Sequence, residues 1–158
     1  MPAGNDVLNV PRTYILRAAS EGDSNAIKAL IRDVQINPMG LHWKNFLVTI
    51  DSQGQLIGCG QIKPHQDGSC ELASIAVIED WRQRGIASRI IKQLIDGHRG
   101  ILYLTCRSPL ELFYQRFGFH RITHKEMPPY FRRINNIAGL FNRSGLIKDT
   151  LLVMKRDP

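Results

Sequence analysis

Between Glu71 and Ile95 the chain reads E-L-A-S-I-A-V-I-E-D-W-R-Q-R-G-I-A-S-R-I-I-K-Q-L-I, and this stretch constrains the fold more than any other. An apolar run of strand length, Leu72 to Ile78, meets a short polar bend, Glu79 to Arg84, and then Gly85. Ile86, Ile90, Ile91, Leu94 and Ile95 follow at the spacing that places them on one helical face. The first N–H groups of a helix have no partner inside it. The aligned peptide dipoles leave that end partly positive, so a helix start of this kind accepts phosphate-type anions. Gly85 has no side chain to hold a ligand off the backbone and tolerates unusual dihedrals. Arg82, Arg84 and Arg89 add full charges nearby. The stretch has the make-up of a pyrophosphate cradle built mainly from main-chain amides. A strand–turn–helix unit with one glycine also arises for packing alone, and neither the G-x-G-x-x-G nor the G-x-x-x-x-G-K-[ST] pattern is present.

The 158 residues fit one domain with a core of useful size, read here as 12–158 behind a short flexible tail at 1–11. The tail is polar and lacks the basic start and apolar block of a secretory signal. No apolar run approaches the roughly 20 residues needed to span a bilayer. Cys59, Cys70 and Cys106 are odd in number and lack metal-type spacing, which points to reduced thiols in a cytoplasmic protein, with a catalytic cysteine as the minor alternative. The net charge of +7 favours anionic partners. One phosphate site does not account for that excess.

In chain order, Tyr14–Arg17 reads as a strand. A helix capped by Asp23 or Ser24 follows, with Ile27, Leu30, Ile31 and Val34 on its inner face. Strands follow at 46–50 and 56–62 around the turn Asp51-Ser52-Gln53-Gly54, and the fourth is 71–78. After the amphipathic helix come a fifth strand at 101–106, a helix from Ser108 to Phe117 ended by Gly118, a sixth strand at 119–123 and a seventh at 150–154. This order predicts a mixed α/β sheet flanked by helices. The segment from Met127 through Leu146 stands apart: Phe131, Ile134, Ala138 and Phe141 lie near one helical face, with Arg132, Arg133 and Arg143 elsewhere.

Arg82-Gln83-Arg84-Gly85-Ile86-Ala87 resembles the [RQ]-x-x-G-x-[GA] motif of the GNAT superfamily of N-acetyltransferases. Leu72-Ala73-Ser74-Ile75-Ala76-Val77 is similar to that family's fourth strand, and Phe113-Tyr114-Gln115-Arg116-Phe117-Gly118-Phe119 to its F-Y-x-x-x-G-F signature. Two motifs in the right order, separated by a strand, are far more specific than either alone. The likeness covers roughly Tyr14 to Lys155. It implies a central mixed, mostly antiparallel sheet of six or seven strands. It also implies direct transfer of an acetyl group from acetyl-CoA to an amine, with no metal. Glu71-Leu72-Ala73-Ser74-Ile75-Ala76-Val77, with Leu102-Tyr103-Leu104-Thr105, Phe119 and Met127-Pro128, is similar to the amino-acid-acetylating branch typified by N-acetylglutamate synthases.

On this resemblance the amides of Arg82, Gln83, Arg84, Gly85, Ile86, Ala87 and Ser88 hold the pyrophosphate. The strand edge at Ile75, Ala76 and Val77 pairs with the pantetheine arm, and a main-chain N–H there polarises the thioester oxygen. Glu71 is the candidate base, acting directly or through water, against the alternative of an exposed strand-end charge; Glu79 is a second, weaker candidate. Tyr114 is the candidate acid for the departing thiolate, against a tyrosine that merely packs. The asparagine that the family often carries before this tyrosine is replaced by Arg107 and Ser108.

His120 and His124, four apart on a strand and its end, do not converge on a metal. His42 and Trp43 read as loop and core residues, with substrate contact as the minor alternative. The segment Phe131–Phe141 reads first as a cover over the acceptor groove, then as a homodimer contact or a membrane-facing helix. The acceptor expected is a small amine such as an amino acid. A protein or peptide amine is the alternative within the class, and a basic nucleic-acid-binding module the less favoured alternative outside it.

Overall fold

The computed structural model describes residues 13–145 and 149–158; the tail read at 1–11 and the end of the unusual segment at Leu146 lie outside them. Seven strands form one sheet: Tyr14–Ala18 (β1), Phe46–Asp51 (β2), Leu56–Pro64 (β3), Cys70–Val77 (β4), Leu102–Arg107 (β5), His120–Arg121 (β6) and Leu151–Arg156 (β7). The helices among the described residues are Ser24–Asp33 (α1), Ile86–Asp96 (α2), Glu111–Gln115 (α3) and Pro129–Arg143 (α4). The strand order is β1-β2-β3-β4-β5-β7-β6, and only β4–β5 is parallel. The mixed, mostly antiparallel sheet implied by the sequence is therefore the observed one.

The helical stripe of α2 is what anchors the sheet. Ile86, Ile90, Ile91, Leu94 and Ile95 are all buried, against Ile57, Leu72, Leu102, Leu104 and Met154. Each such side chain contributes about 1.5–3 kcal/mol on burial. α2 can lie this close because β3 carries Gly60 beneath it: a Cβ there would stand 2.5 Å from Ile75 Cδ1 and 2.7 Å from Ile90 Cγ2. α1 packs Ile27, Leu30 and Ile31 on Phe46, Val48 and Cys59. A smaller cluster joins Phe131 of α4 to Val153 of β7, Ile122 and Met127.

Three elements depart from the sequence reading. The sixth strand is two residues long rather than five. Thr123 is instead captured by a capping box: its N–H and its Oγ1 donate to Glu126 Oε2 at 2.7 and 2.8 Å. The helix expected from Ser108 is a 3-10 turn, Ser108–Leu110, followed by the short α3, and Arg107 rather than Ser108 stands at the cap position. Asp23 does not cap α1 forward. Its carboxylate accepts from Ser20 N–H (2.7 Å), from Ser20 Oγ (2.8 Å) and from both terminal nitrogens of Arg17 (2.8 and 3.0 Å), tying β1 to the start of α1.

Those bonds, Arg17 first, hold the Asp23 carboxyl well below the usual carboxylate range. A depressed folded-state pKa contributes stability that is present above the unfolded value of about 3.9 and is lost as pH falls below it. Asp23→Asn should lower stability near neutral pH by about 1 kcal/mol, the usual net weight of such hydrogen bonds. It should also flatten the loss of stability below about pH 4. Urea midpoints measured from pH 7 to pH 3 test this; an acid limb as steep as the wild type's would contradict it.

β4 and β5 meet at a single register position, Glu71 opposite Tyr103. Just beyond it Ser74 adopts φ 58°, and the β3–β4 register slips between Cys59 and Gln61. This bulge bends the second half of β4 away from β5. The sheet opens there into a cleft.

Candidate active site

The cleft runs from the N-terminus of α2 to the junction of β4 and β5. Its outer part, a cavity of about 710 Å³, is walled by Ile75, Ala76, Val77, Trp81, Arg82, Gln83, Gly85, Ile86, Ala87 and Ser88, with Phe113 and Arg116 opposite. Its inner part, about 440 Å³, includes Lys63, Glu71, Ser74, Thr105, Arg107, Tyr114 and Tyr130. Val34, Ile36, Ile75 and Leu110 line both, so the two form one groove.

At the outer end Gly85 occupies the cap of α2 with φ 77° and ψ 7°, a conformation that costs any other residue strain. A Cβ on it would meet nothing within 4 Å, so that space is open. Arg89 makes the first helical bond, to the Gly85 carbonyl at 3.0 Å, leaving the amides of Ile86, Ala87 and Ser88 without helical acceptors. Gln83 is also left-handed, at φ 59°. The Arg82 Nε donates to the Val77 carbonyl at 3.1 Å and closes the bend onto β4. Arg84, named from the sequence with its neighbours, lies over the Trp81 ring at 5.8 Å and does not line the groove. Arg89 reaches the Tyr14 hydroxyl at 3.2 Å.

Along the wall, the Ile78 N–H donates to the Ile57 carbonyl. The alternation of an antiparallel ladder therefore turns the Val77 amide away from β3 and toward the opening, and the Ala76 amide toward β3.

Glu71 is not an exposed strand end. Its side chain is 9% exposed; Oε2 lies 2.8 Å from His65 Nε2, and Oε1 receives Thr105 Oγ1 at 3.4 Å. Tyr114 comes from α3 on the opposite side, packed against Phe113 and Phe119. Burial, with a smaller contribution from Cys106, pushes its phenol up to about 12, so it keeps its proton throughout the neutral range. Burial raises Cys106 to about 11 and Cys59 to about 12, which argues against a thiolate nucleophile at either. All three cysteines are free. Glu79 is exposed, at the start of the 3-10 turn Glu79–Trp81, and does not line the groove. His42 and Trp43 do not line it either; Trp43 packs against the α1 cluster.

His120 is exposed on β6 and His124 pairs with Asn136 Oδ1 at 2.9 Å. No group of three metal-ligating side chains occurs among the described residues, and no helix among them is long and apolar enough to cross a membrane. Tyr130 and Ile134 of α4 line the inner groove, while Ile137, Leu140 and Phe141 of its second half are exposed. His65, Arg116 and the bulge at Ser74 were missed from sequence. Arg116 stood within the F-Y-x-x-x-G-F motif, and only its charge beside Tyr114 could have marked it.

A sequence profile of the acetyltransferase (GNAT) domain matches residues 42–121, just over half the chain, and the chain belongs to that family. Amino-acid acetyltransferases of two Neisseria meningitidis strains are 29% identical to it over 131 residues, 75% of this chain but 30% of their own length. Among solved structures, an N-acetylglutamate synthase from Neisseria gonorrhoeae, complexed with coenzyme A and N-acetyl-glutamate, superposes with a TM-score of 0.68 at 23% identity. The match covers 92% of this chain and 35% of that one. A Mycobacterium tuberculosis protein in complex with CoA gives 0.67 at 19% identity, over 91% of this chain and 99% of the other.

Proposed function

We propose that this chain transfers the acetyl group of acetyl-CoA directly to a primary amine, and that the amine is a small molecule such as an amino acid. The observation that carries the reading is the unbroken groove from the open amides at Gly85, past the bulge, to Glu71 and Tyr114. Bound acetyl-CoA supplies an activated thioester. The amides of Gln83 and of residues 85–88 and the Arg82 and Arg116 charges hold its diphosphate end. The exposed edge of β4 at Ile75 and Val77 hydrogen-bonds the pantetheine arm. The Val77 N–H donates to the carbonyl oxygen as that oxygen gains charge.

At the inner end, Glu71 takes a proton from the acceptor ammonium, directly or through one water; the freed amine then attacks the thioester carbonyl, and the tetrahedral intermediate gives its second amine proton to solvent as it collapses. Tyr114 gives its proton to the sulfur as the C–S bond breaks and is restored from solvent. The small-molecule choice rests on the Neisseria amino-acid acetyltransferases and on Lys63 and Arg107 in the inner groove, whose charges suit an acceptor carboxylate.

The test is thiol release from acetyl-CoA across amino acids, polyamines and peptides, with the acetylated product identified by mass. Turnover with an α-amino acid is expected. Turnover with peptides alone would replace the acceptor assignment, and no thiol release with any amine would overturn the reading. Tyr114→Phe should lower kcat about a hundredfold, the usual scale of an acid–base contribution, with little change in acetyl-CoA affinity. An unchanged kcat would leave Tyr114 as a packing residue.

A further inference from the structure

Glu71 does not stand alone behind the groove. His65, in the turn after β3, presents Nε2 to Glu71 Oε2 at 2.8 Å, and its side chain is only 6% exposed. The imidazole is clamped on two sides by α4. Tyr130 stacks on it, with ring centroids 3.5 Å apart and planes 18° apart, and Phe131 meets it edge-on at 5.7 Å. The clamp is itself fixed. The Tyr130 N–H donates to Asp67 Oδ2 at 2.8 Å, and the His65 N–H donates to the Ser69 carbonyl at 2.9 Å, so α4 and the turn lock to one another. Phe131 is fully buried and does not move without the cluster around Val153.

We infer that His65 is a positioning residue for Glu71, and that α4 holds the base in place as well as lining the groove. This deepens, and rests on, the proposed transferase reading. The argument is geometric. Glu71 and Thr105 line the acceptor groove and His65 does not. Nε2–H engages Oε2 from the side away from that groove, where His65 lines a separate cavity with Tyr130 and Arg133, which leaves Oε1, beside Thr105, as the oxygen proposed to meet the acceptor. A carboxylate held through one oxygen by a buried donor has one rotamer to offer the incoming amine. Without that donor the carboxylate can rotate, and misplacement of about 1 Å at a reacting group costs on the order of a hundredfold. The groups facing the ring are Glu71 from β4, Asp67 from the turn, and Tyr130 and Phe131 from α4.

Two substitutions separate positioning from packing. His65→Phe keeps an aromatic ring for Tyr130 to stack on and removes the donor. His65→Gln keeps a donor and removes the ring. If His65 positions Glu71, His65→Phe loses about tenfold to a hundredfold in kcat with KM for acetyl-CoA little changed, and His65→Gln recovers most of that loss. If the ring only packs, the order reverses. Wild-type kcat in His65→Phe, or a His65→Gln variant at least as impaired as His65→Phe, overturns the inference. A second readout needs no turnover. A buried imidazole N–H donating to a carboxylate exchanges slowly and gives a resolved downfield proton resonance. It is expected in the wild type and expected to vanish in His65→Phe; its absence from the folded wild type also overturns the inference. If acetyl-CoA fails to bind the wild type, the transferase reading falls and this role falls with it. If the wild type binds and turns over while His65→Phe matches it, only this role falls.

Discussion

Gly85→Glu should abolish acetyl-CoA binding while leaving a folded protein. Two effects act at this position, and their sizes differ. Any side chain at φ 77° carries left-handed strain of about 1–2 kcal/mol, which lowers the melting temperature by several degrees. A Cβ there meets no protein atom within 4 Å, so no clash adds to that strain. The side chain projects into the space proposed for the diphosphate. A carboxylate about 4 Å from a phosphate charge costs about 4 kcal/mol at an effective dielectric of 20, roughly a thousandfold in affinity. Gly85→Ala is the matched control, since it carries the strain without the charge. Calorimetric titration of both variants decides the matter. Near-wild-type affinity in Gly85→Glu would remove the proposed cradle.

The second large effect is expected at Glu71. Glu71→Gln preserves the volume and can still accept from His65, but it cannot take a proton. A general base contributes about 10²–10⁴-fold. The loss should be greatest at low pH, where the amine acceptor is mostly ammonium. It should shrink as pH rises and more of the amine arrives already deprotonated. The ratio of wild-type to variant kcat/KM from pH 6 to pH 9.5 is the measurement. A ratio flat across that range would assign the proton to another acceptor.

What could be read from the chain was local. Strand β4, the glycine and the stripe of α2 follow one another within a single segment, so periodicity and one turn residue carried them. The features that shape the groove are not local. The Ser74 bulge places a serine at positive φ, where no glycine marks the spot, and it becomes visible only once β3 and β5 lie on either side. His65 is a turn residue whose partners come from β4 and from α4, far along the sequence. Glu71 could be named but not its setting, because burial beside His65 depends on the same long-range contacts. One departure did leave a mark: Thr123-His124-Lys125-Glu126 has the spacing of a capping box, and that pattern shortened the sixth strand.

The strand order has a consequence for how the molecule is made. β5 takes as its antiparallel neighbour β7, which is synthesised well after it, and among the described residues β6 pairs only with β7. While the chain is growing, one side of Leu102–Arg107 stays without its hydrogen-bonding row until Leu151–Arg156 arrives. An unfilled apolar edge of this kind recruits other chains. Losses during expression should therefore concentrate in variants that weaken β7, such as polar replacements of Leu152 or Met154, more than in equally buried positions of β2. A nascent polypeptide is most exposed to self-association in that interval, which makes the late insertion of β7 beside β5, rather than a weak core, the step that chaperones would guard.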